Sequence, residues 1–358
     1  MAANVPNITI HVKNLAGDVI SIELSPSTPI AELKRRLPYP AARTVLFIGR
    51  PNHANGANPE QLENDRTIGS YRIGDGSEVF VLVKDREYPL VFGEKGREEG
   101  QLYDPCAVCV VGEELLVADE ERISKFSLDG EFISIFCAVA KPRAICATAT
   151  NVFVSAPDAI HVFSMEGARM NTIRGYNPFG MCIEGEELFV ATPGAIAVFS
   201  LDGTFRRNMG KDRLVHPIDV CFFNNEMFVL GSIRNSYHQI AVFSGAAFDR
   251  TFGRLPCAPR CAPRGIRVSE RGVFVSHGEQ ITVFDIHGTV QYSITTNEKF
   301  TLHGPAGMYL DTNILYIADK FARKVVVIDL PLKGGRRLRK SRKTRTHKKR
   351  KQRTHKRR

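Results

Sequence analysis

The feature that most constrains this chain is a recurrence. A proline opens a short apolar segment at Pro105, Pro142, Pro178, Pro217, Pro263 and Pro305, at intervals of 37, 36, 39, 46 and 42 residues. Ala107-Val108-Cys109-Val110 is the first such segment. A second apolar segment follows in each interval, at 115–117, 152–154, 188–190, 227–229, 273–275 and 315–317. A third ends on Phe126, Phe163, Phe199, Phe243, Phe284 and Ile328, and a more polar fourth closes most units after a Gly turn, as at Gly130 and Gly203. No helical stretch of 10 to 15 residues separates these segments, which excludes a parallel α/β fold. Four short antiparallel strands in about 40 residues, six times over, match the arithmetic of a six-bladed β-propeller.

A repeat of this kind has to close. The sixth unit runs out at Asp329-Leu330-Pro331 without a fourth strand, while Tyr88-Pro89-Leu90-Val91-Phe92-Gly93 resembles the fourth strand of another unit, residues 247–253. The spacing therefore predicts that residues 88–92 supply the missing strand, since an open ring would leave two bare sheet edges. The units resemble NHL repeats. Phe92-Gly93, Gly100-Gln101-Leu102, Pro105, Leu116-Val117-Ala118-Asp119 and Phe126-Ser127-Leu128-Asp129-Gly130 carry the likeness, and Tyr316-Ile317-Ala318-Asp319 repeats part of it. Units two to five lack the Asp after the second strand. The resemblance implies an all-β six-bladed propeller over residues 88–331.

Ahead of the repeats, residues 8–12 and 19–24 read as a hairpin. Pro29 to Leu37 reads as a helix with Ile30, Leu33 and Leu37 on one face, and 44–48 and 78–83 as further strands. In this order the segment resembles ubiquitin, and the likeness extends to Leu62-Glu63-Asn64-Asp65-Arg66-Thr67-Ile68. The resemblance implies an α+β β-grasp domain at 7–85 with an apolar recognition patch at Leu15, Leu46, Phe80 and Leu82. It has no terminal di-glycine, so the segment is expected to be an integral module.

Charge separates a third region. The chain carries 49 Lys and Arg against 38 Asp and Glu, yet 15 of those cations fall in the last 23 residues, which hold no acid. The rest of the chain is mildly acidic. Residues 334–358 are therefore expected to be a disordered basic tail. Arg336, Arg337, Arg339, Lys340, Arg342, Lys343, Lys348, Lys349, Arg350 and Lys351 are its candidate nucleic-acid or nuclear-targeting residues.

Eight cysteines without a tight framework point to a reducing compartment. Cys109, Cys146, Cys182 and Cys221 each lie four residues after their proline, but Arg267 and Tyr309 hold the same phase, so small-residue packing is expected rather than a metal ring. No catalytic motif, metal site or cofactor is identified, and neither a membrane span nor a secretory signal. The sequence reading is a non-enzymatic adaptor, nuclear or nucleolar with a cytoplasmic alternative. Its ubiquitin-like module meets ubiquitin-pathway receptors, its propeller holds a protein ligand, and its tail contacts RNA or DNA. Two alternatives stand beside it: an RNA-binding regulator and a propeller lyase or hydrolase.

Overall fold

The computed structural model describes residues 6–14, 18–37, 44–48, 60–83, 87–233, 237–255 and 262–330. These residues are almost wholly β, arranged in eight sheets: one of five strands, six of four and one of two. No helix among them is long and apolar enough to cross a membrane.

The five-stranded sheet is built from β1 (Ile8–Lys13), β2 (Val19–Leu24), β3 (Thr44–Ile48), β4 (Glu60–Gln61) and β5 (Glu78–Val83). Its order is β2-β1-β5-β3-β4, with β1 and β5 parallel. Here the β-grasp expectation needs correction. The one α-helix among the described residues, α1 (Ile30–Arg36), has seven residues. At 1.5 Å per residue it is about 10 Å long, against a sheet about 19 Å across. Ile30 and Leu33 do reach the core with Ile10, Val12, Leu46, Val79 and Val81. A two-turn helix is nevertheless too short to cover such a sheet in the way a ubiquitin-like domain requires. Its N-cap is Pro29, and no side chain caps its first turn.

Each four-stranded sheet begins with an inner strand: Ala107–Val111, Ala144–Ala147, Met181–Glu184, Leu214–Phe223, Pro263–Ser269 and Pro305–Asp311. Each inner strand touches the next, and the sixth touches the first, so the six sheets form a ring. The last sheet takes its outer strand from β6 (Leu90–Phe92), with Phe92, Val91 and Leu90 opposite Val325, Val326 and Val327. Phe92 also packs on Phe126 of the first sheet, ring centroids 5.2 Å apart. One short strand thus bridges the two ends of the ring.

Polar links at the inner strands run around the whole ring. The Cys106 thiol donates to the Pro142 carbonyl, and Ser155 Oγ to the Phe179 carbonyl at 2.7 Å. The Gly180 N–H donates to the Ile218 carbonyl, and Asp219 accepts from the Ile266 N–H. Ser276 Oγ donates to the Ala306 carbonyl at 2.7 Å, and the Gly307 N–H returns to the Cys106 carbonyl. Each of the six sheets of the ring is therefore tied to its successor by at least one hydrogen bond.

This close approach explains the glycine at 307. A Cβ there would sit 2.6 Å from the Cys106 carbonyl oxygen and 2.7 Å from the Ala107 Cα, both main-chain atoms of the neighbouring sheet. Gly307→Ala is expected to cost about 1–3 kcal/mol through overpacking. Thermal denaturation checks this, and an unchanged midpoint would mean that the sixth and first sheets do not meet here.

Candidate functional site

Two positions along the inner strands decide what the ring encloses. Two residues after each proline stand Ala107, Ala144, Gly180, Asp219, Gly265 and Gly307. Five are as small as side chains come, and the exception is an acid. Four residues after each proline stand Cys109, Cys146, Cys182, Cys221, Arg267 and Tyr309. The small residues leave room for the Asp219 carboxylate to extend between sheets, and a Cβ on Gly180 would lie 2.1 Å from its Oδ1.

Asp219 is buried and fully engaged. Its Oδ2 accepts from Arg267 Nη1 at 2.9 Å and from the Ile266 N–H at 3.0 Å, and its Oδ1 from the Val220 N–H at 2.9 Å. Burial raises its pKa, while the Arg267 charge and the two N–H groups pull it back. Arg267 Nη1 also reaches the Ile266 carbonyl. Its Nε and Nη2 have no partner among the described residues, and its side chain keeps 20% of its surface accessible. The Nη1 end of the guanidinium holds Asp219, and the side chain lines open space within the ring.

Arg267 lies where two chambers meet. The upper one, about 90 Å³, is lined by Arg143, Phe179, Asp219, Arg264 and Arg267 together with the small residues above. Arg143 Nη1 donates to Asn177 Oδ1 at 2.8 Å and to the Pro178 carbonyl at 3.0 Å, and its guanidinium lies 4.4 Å over the Phe179 ring. Burial lowers its pKa, the mark of a cation that has lost part of its hydration. Arg264 reaches the Pro305 carbonyl at 3.5 Å and lies 5.0 Å over Phe321. Three guanidinium groups therefore converge on a small chamber that contains one carboxylate, already paired.

The lower chamber, about 250 Å³, takes its lining from every sheet and includes all four phased cysteines, Met181, Phe222, Tyr309 and Leu310. Burial pushes the Cys109 thiol up to about 12 and Cys182 to about 11, and moves Cys146 and Cys221 in the same direction. These thiols stay protonated at neutral pH and act as apolar lining.

Enzymes of propeller architecture can carry a metal at the channel mouth, and the donors here do not fit one. Of the residues just before the prolines, Asp104 is held by Lys320 at 2.8 Å and Asn177 by Arg143. Three arginines would repel a divalent cation. No group of three or more His, Cys, Asp or Glu that could hold a metal occurs among the described residues.

The other residues singled out in the sequence are placed differently. Leu15 and the ten tail cations lie outside the described residues. Leu46 is fully buried in the core, so it cannot belong to an exposed patch. Pairing across the sheet sets Phe47 opposite Phe80 and Val45 opposite Leu82. The face carrying the half-buried Phe80 and Leu82 is therefore shared with Val45 and Phe47, one residue out of phase with Leu46. The small-residue phase two after each proline, with Asp219 as its exception, was visible in the same alignment that showed the cysteines, and it is the signal that locates the ion pair.

No protein-family profile matches this chain. No curated protein matches it either. Solved structures similar to it include a catalytically inactive virginiamycin B lyase from Staphylococcus aureus with quinupristin (13% identity, TM-score 0.47, 64% of this chain and 95% of that one). A gluconolactonase from Xanthomonas campestris is similar at 15% identity and TM-score 0.49, over 61% of this chain and 82% of that one. The WD40 β-propeller domain of Doa1 is similar at 7% identity and TM-score 0.48, over 68% and 96%. Likeness at this distance transfers no activity, substrate or partner. The combined ubiquitin-like and NHL assignment is corrected by the first segment itself, whose seven-residue α1 is too short for a ubiquitin-like module. The adaptor reading required such a module and does not hold. Its nuclear and nucleic-acid parts, and the RNA-regulator alternative, find no support among the described residues.

Proposed function

We propose that the ring, residues 88–331, binds an anionic small molecule of the carboxylate class in the upper chamber. The observation that carries this reading is that Arg267, whose Nε and Nη2 have no partner among the described residues, lines the same chamber as Arg143 and Arg264. A guanidinium edge presents two parallel N–H donors at the spacing of a carboxylate's oxygens. Phe179 and Phe321 stack on the flanking arginines and hold their planes in place. The sequence reading expected a protein as the ligand of the ring; an interior chamber of about 90 Å³ suits a small molecule instead.

The test is calorimetric titration of the full chain with acetate and with inorganic phosphate. Arg143→Gln combined with Arg264→Gln removes two charges and leaves the Asp219–Arg267 pair whole. Carboxylate affinity is expected to fall at least tenfold, in line with about 1.5–3 kcal/mol for each charge-assisted bond. Equal affinity in wild type and double variant would sink the proposal.

A propeller lyase or hydrolase is the second reading. The observation in its favour is a buried carboxyl of raised pKa in the same chamber as the guanidinium groups, an arrangement common at catalytic sites. Turnover of carboxylate-bearing lactones and esters, abolished in Asp219→Asn, would support it. Turnover unaffected by that change would remove Asp219 from any catalytic role.

A further inference from the structure

The upper chamber does not end at Arg267. The same guanidinium lines both chambers, so an anion seated on its Nε and Nη2 has the lower chamber directly behind it. That lower space is different in chemistry. Its lining is the four protonated thiols, Met181, Ile145, Ile183, Val268 and Leu310, with Arg267 the only charged side chain among the lining residues. At about 250 Å³ it is larger than the roughly 150 Å³ apolar cavity known to admit benzene. Long side chains at the cysteine phase would have filled it, as Arg267 and Tyr309 do on their side, whereas four cysteines in succession keep it open.

We propose that the ligand is a monocarboxylate with a slender apolar chain, its carboxylate on Arg267 and its chain among Cys109, Cys146, Cys182 and Cys221. This rests on the anion-binding reading above and adds the chemical class of the ligand's other end. Burying a chain here needs no polar partner, since the thiols carry no charge at neutral pH. A dicarboxylate or a sugar acid would instead bring polar groups into a chamber with few donors for them.

The experiment is a chain-length series on the full protein: acetate, butyrate, hexanoate and, as a polar control of similar length, adipate. Each added methylene buried is expected to tighten binding about fourfold from acetate to hexanoate, and adipate is expected to bind no better than acetate. A second readout needs no variant. At pH 9.5, where a small thiolate fraction is present to react, hexanoate should slow labelling of Cys182 and Cys221 by methyl methanethiosulfonate, followed by peptide mass spectrometry, at least fivefold, while acetate leaves it unchanged. An affinity that stays flat along the series, or thiols labelled equally fast with hexanoate present, would overturn the apolar-chain proposal with anion binding still standing. If no carboxylate binds at all, the anion-binding reading fails and this inference falls with it.

Discussion

Asp219→Ala is expected to lower the unfolding midpoint of the ring more than any other single truncation along the channel. The substitution leaves the Arg267 guanidinium in the interior without its counter-charge, and it strips the Ile266 and Val220 N–H groups of their acceptor. Removing one partner of a buried pair costs about 3–5 kcal/mol, because the remaining charge is uncompensated. For a ring of this size each kcal/mol moves the midpoint by about 2–4 °C, so a fall of roughly 6–20 °C is expected by calorimetry. Replacing both partners, Asp219→Leu with Arg267→Leu, should recover much of that loss, since no charge is then stranded. Arg267→Lys alone, with Asp219 kept, should also lower the midpoint, because a point charge on a flexible stem does not reproduce the bonds to Asp219 and the Ile266 carbonyl. A small effect for Asp219→Ala alone would mean that the pair is hydrated and that the channel is wide open at this level.

The second large effect concerns closure. Replacing Leu90, Val91 and Phe92 with Gly-Ser-Gly keeps the chain length and removes the strand that pairs with Val325–Val327. Those three valines are wholly buried, so the change exposes an apolar edge and also removes the Phe92–Phe126 contact. Loss of the Phe and Leu packing is on the order of 5 kcal/mol. The exposed edge should add concentration-dependent aggregation. Scattering and calorimetry across a concentration series check both. A monomeric variant with the wild-type midpoint would show that the ends of the ring hold together without β6.

These effects indicate what the sequence could and could not reveal. Strand succession was legible because a period-2 apolar pattern recurs at near-constant spacing, and Leu90-Val91-Phe92 stood out as a strand without a partner in its own neighbourhood. The links between sheets were much less so. Ser155 and Ser276 stand one residue before the position that carries Asp119 and Asp319, where the first and last units have Ala118 and Ala318, and each hydroxyl bridges to the next sheet. Asp119 and Asp319, where the Asp is kept, instead hold the N–H groups of the loops entering their sheets: Tyr103 and Asp104 in one, His303 and Gly304 in the other. Adjacent positions after the second strand thus serve different links, one reaching the next sheet and the other the entering loop, and alignment alone does not distinguish them.

The first segment failed in a different way. Residues 8–83 carry the order of strands that a familiar fold leads one to expect, but sequence order says little about how long a helix remains. Here α1 ends at Arg36, and Leu37 is extended. Phase was the second error. Taking Leu46 as the surface residue assumed one alternation for β3, and pairing with β5 imposes the other, since a shift of one residue turns every side chain to the opposite face. The site itself was half visible. The cysteine phase and Arg267 within it were apparent, but that Arg267 holds Asp219 through Nη1 and leaves Nε and Nη2 without a partner among the described residues is a fact of three dimensions.

The account turns on those two groups, and a crystal structure of the full protein with hexanoate tests it most directly. The expected result is a carboxylate within hydrogen-bonding distance of Arg267 Nε and Nη2, with Arg143 and Arg264 around it and the chain descending past Cys182. Hexanoate bound elsewhere, with only water on the Arg267 edge, would contradict it.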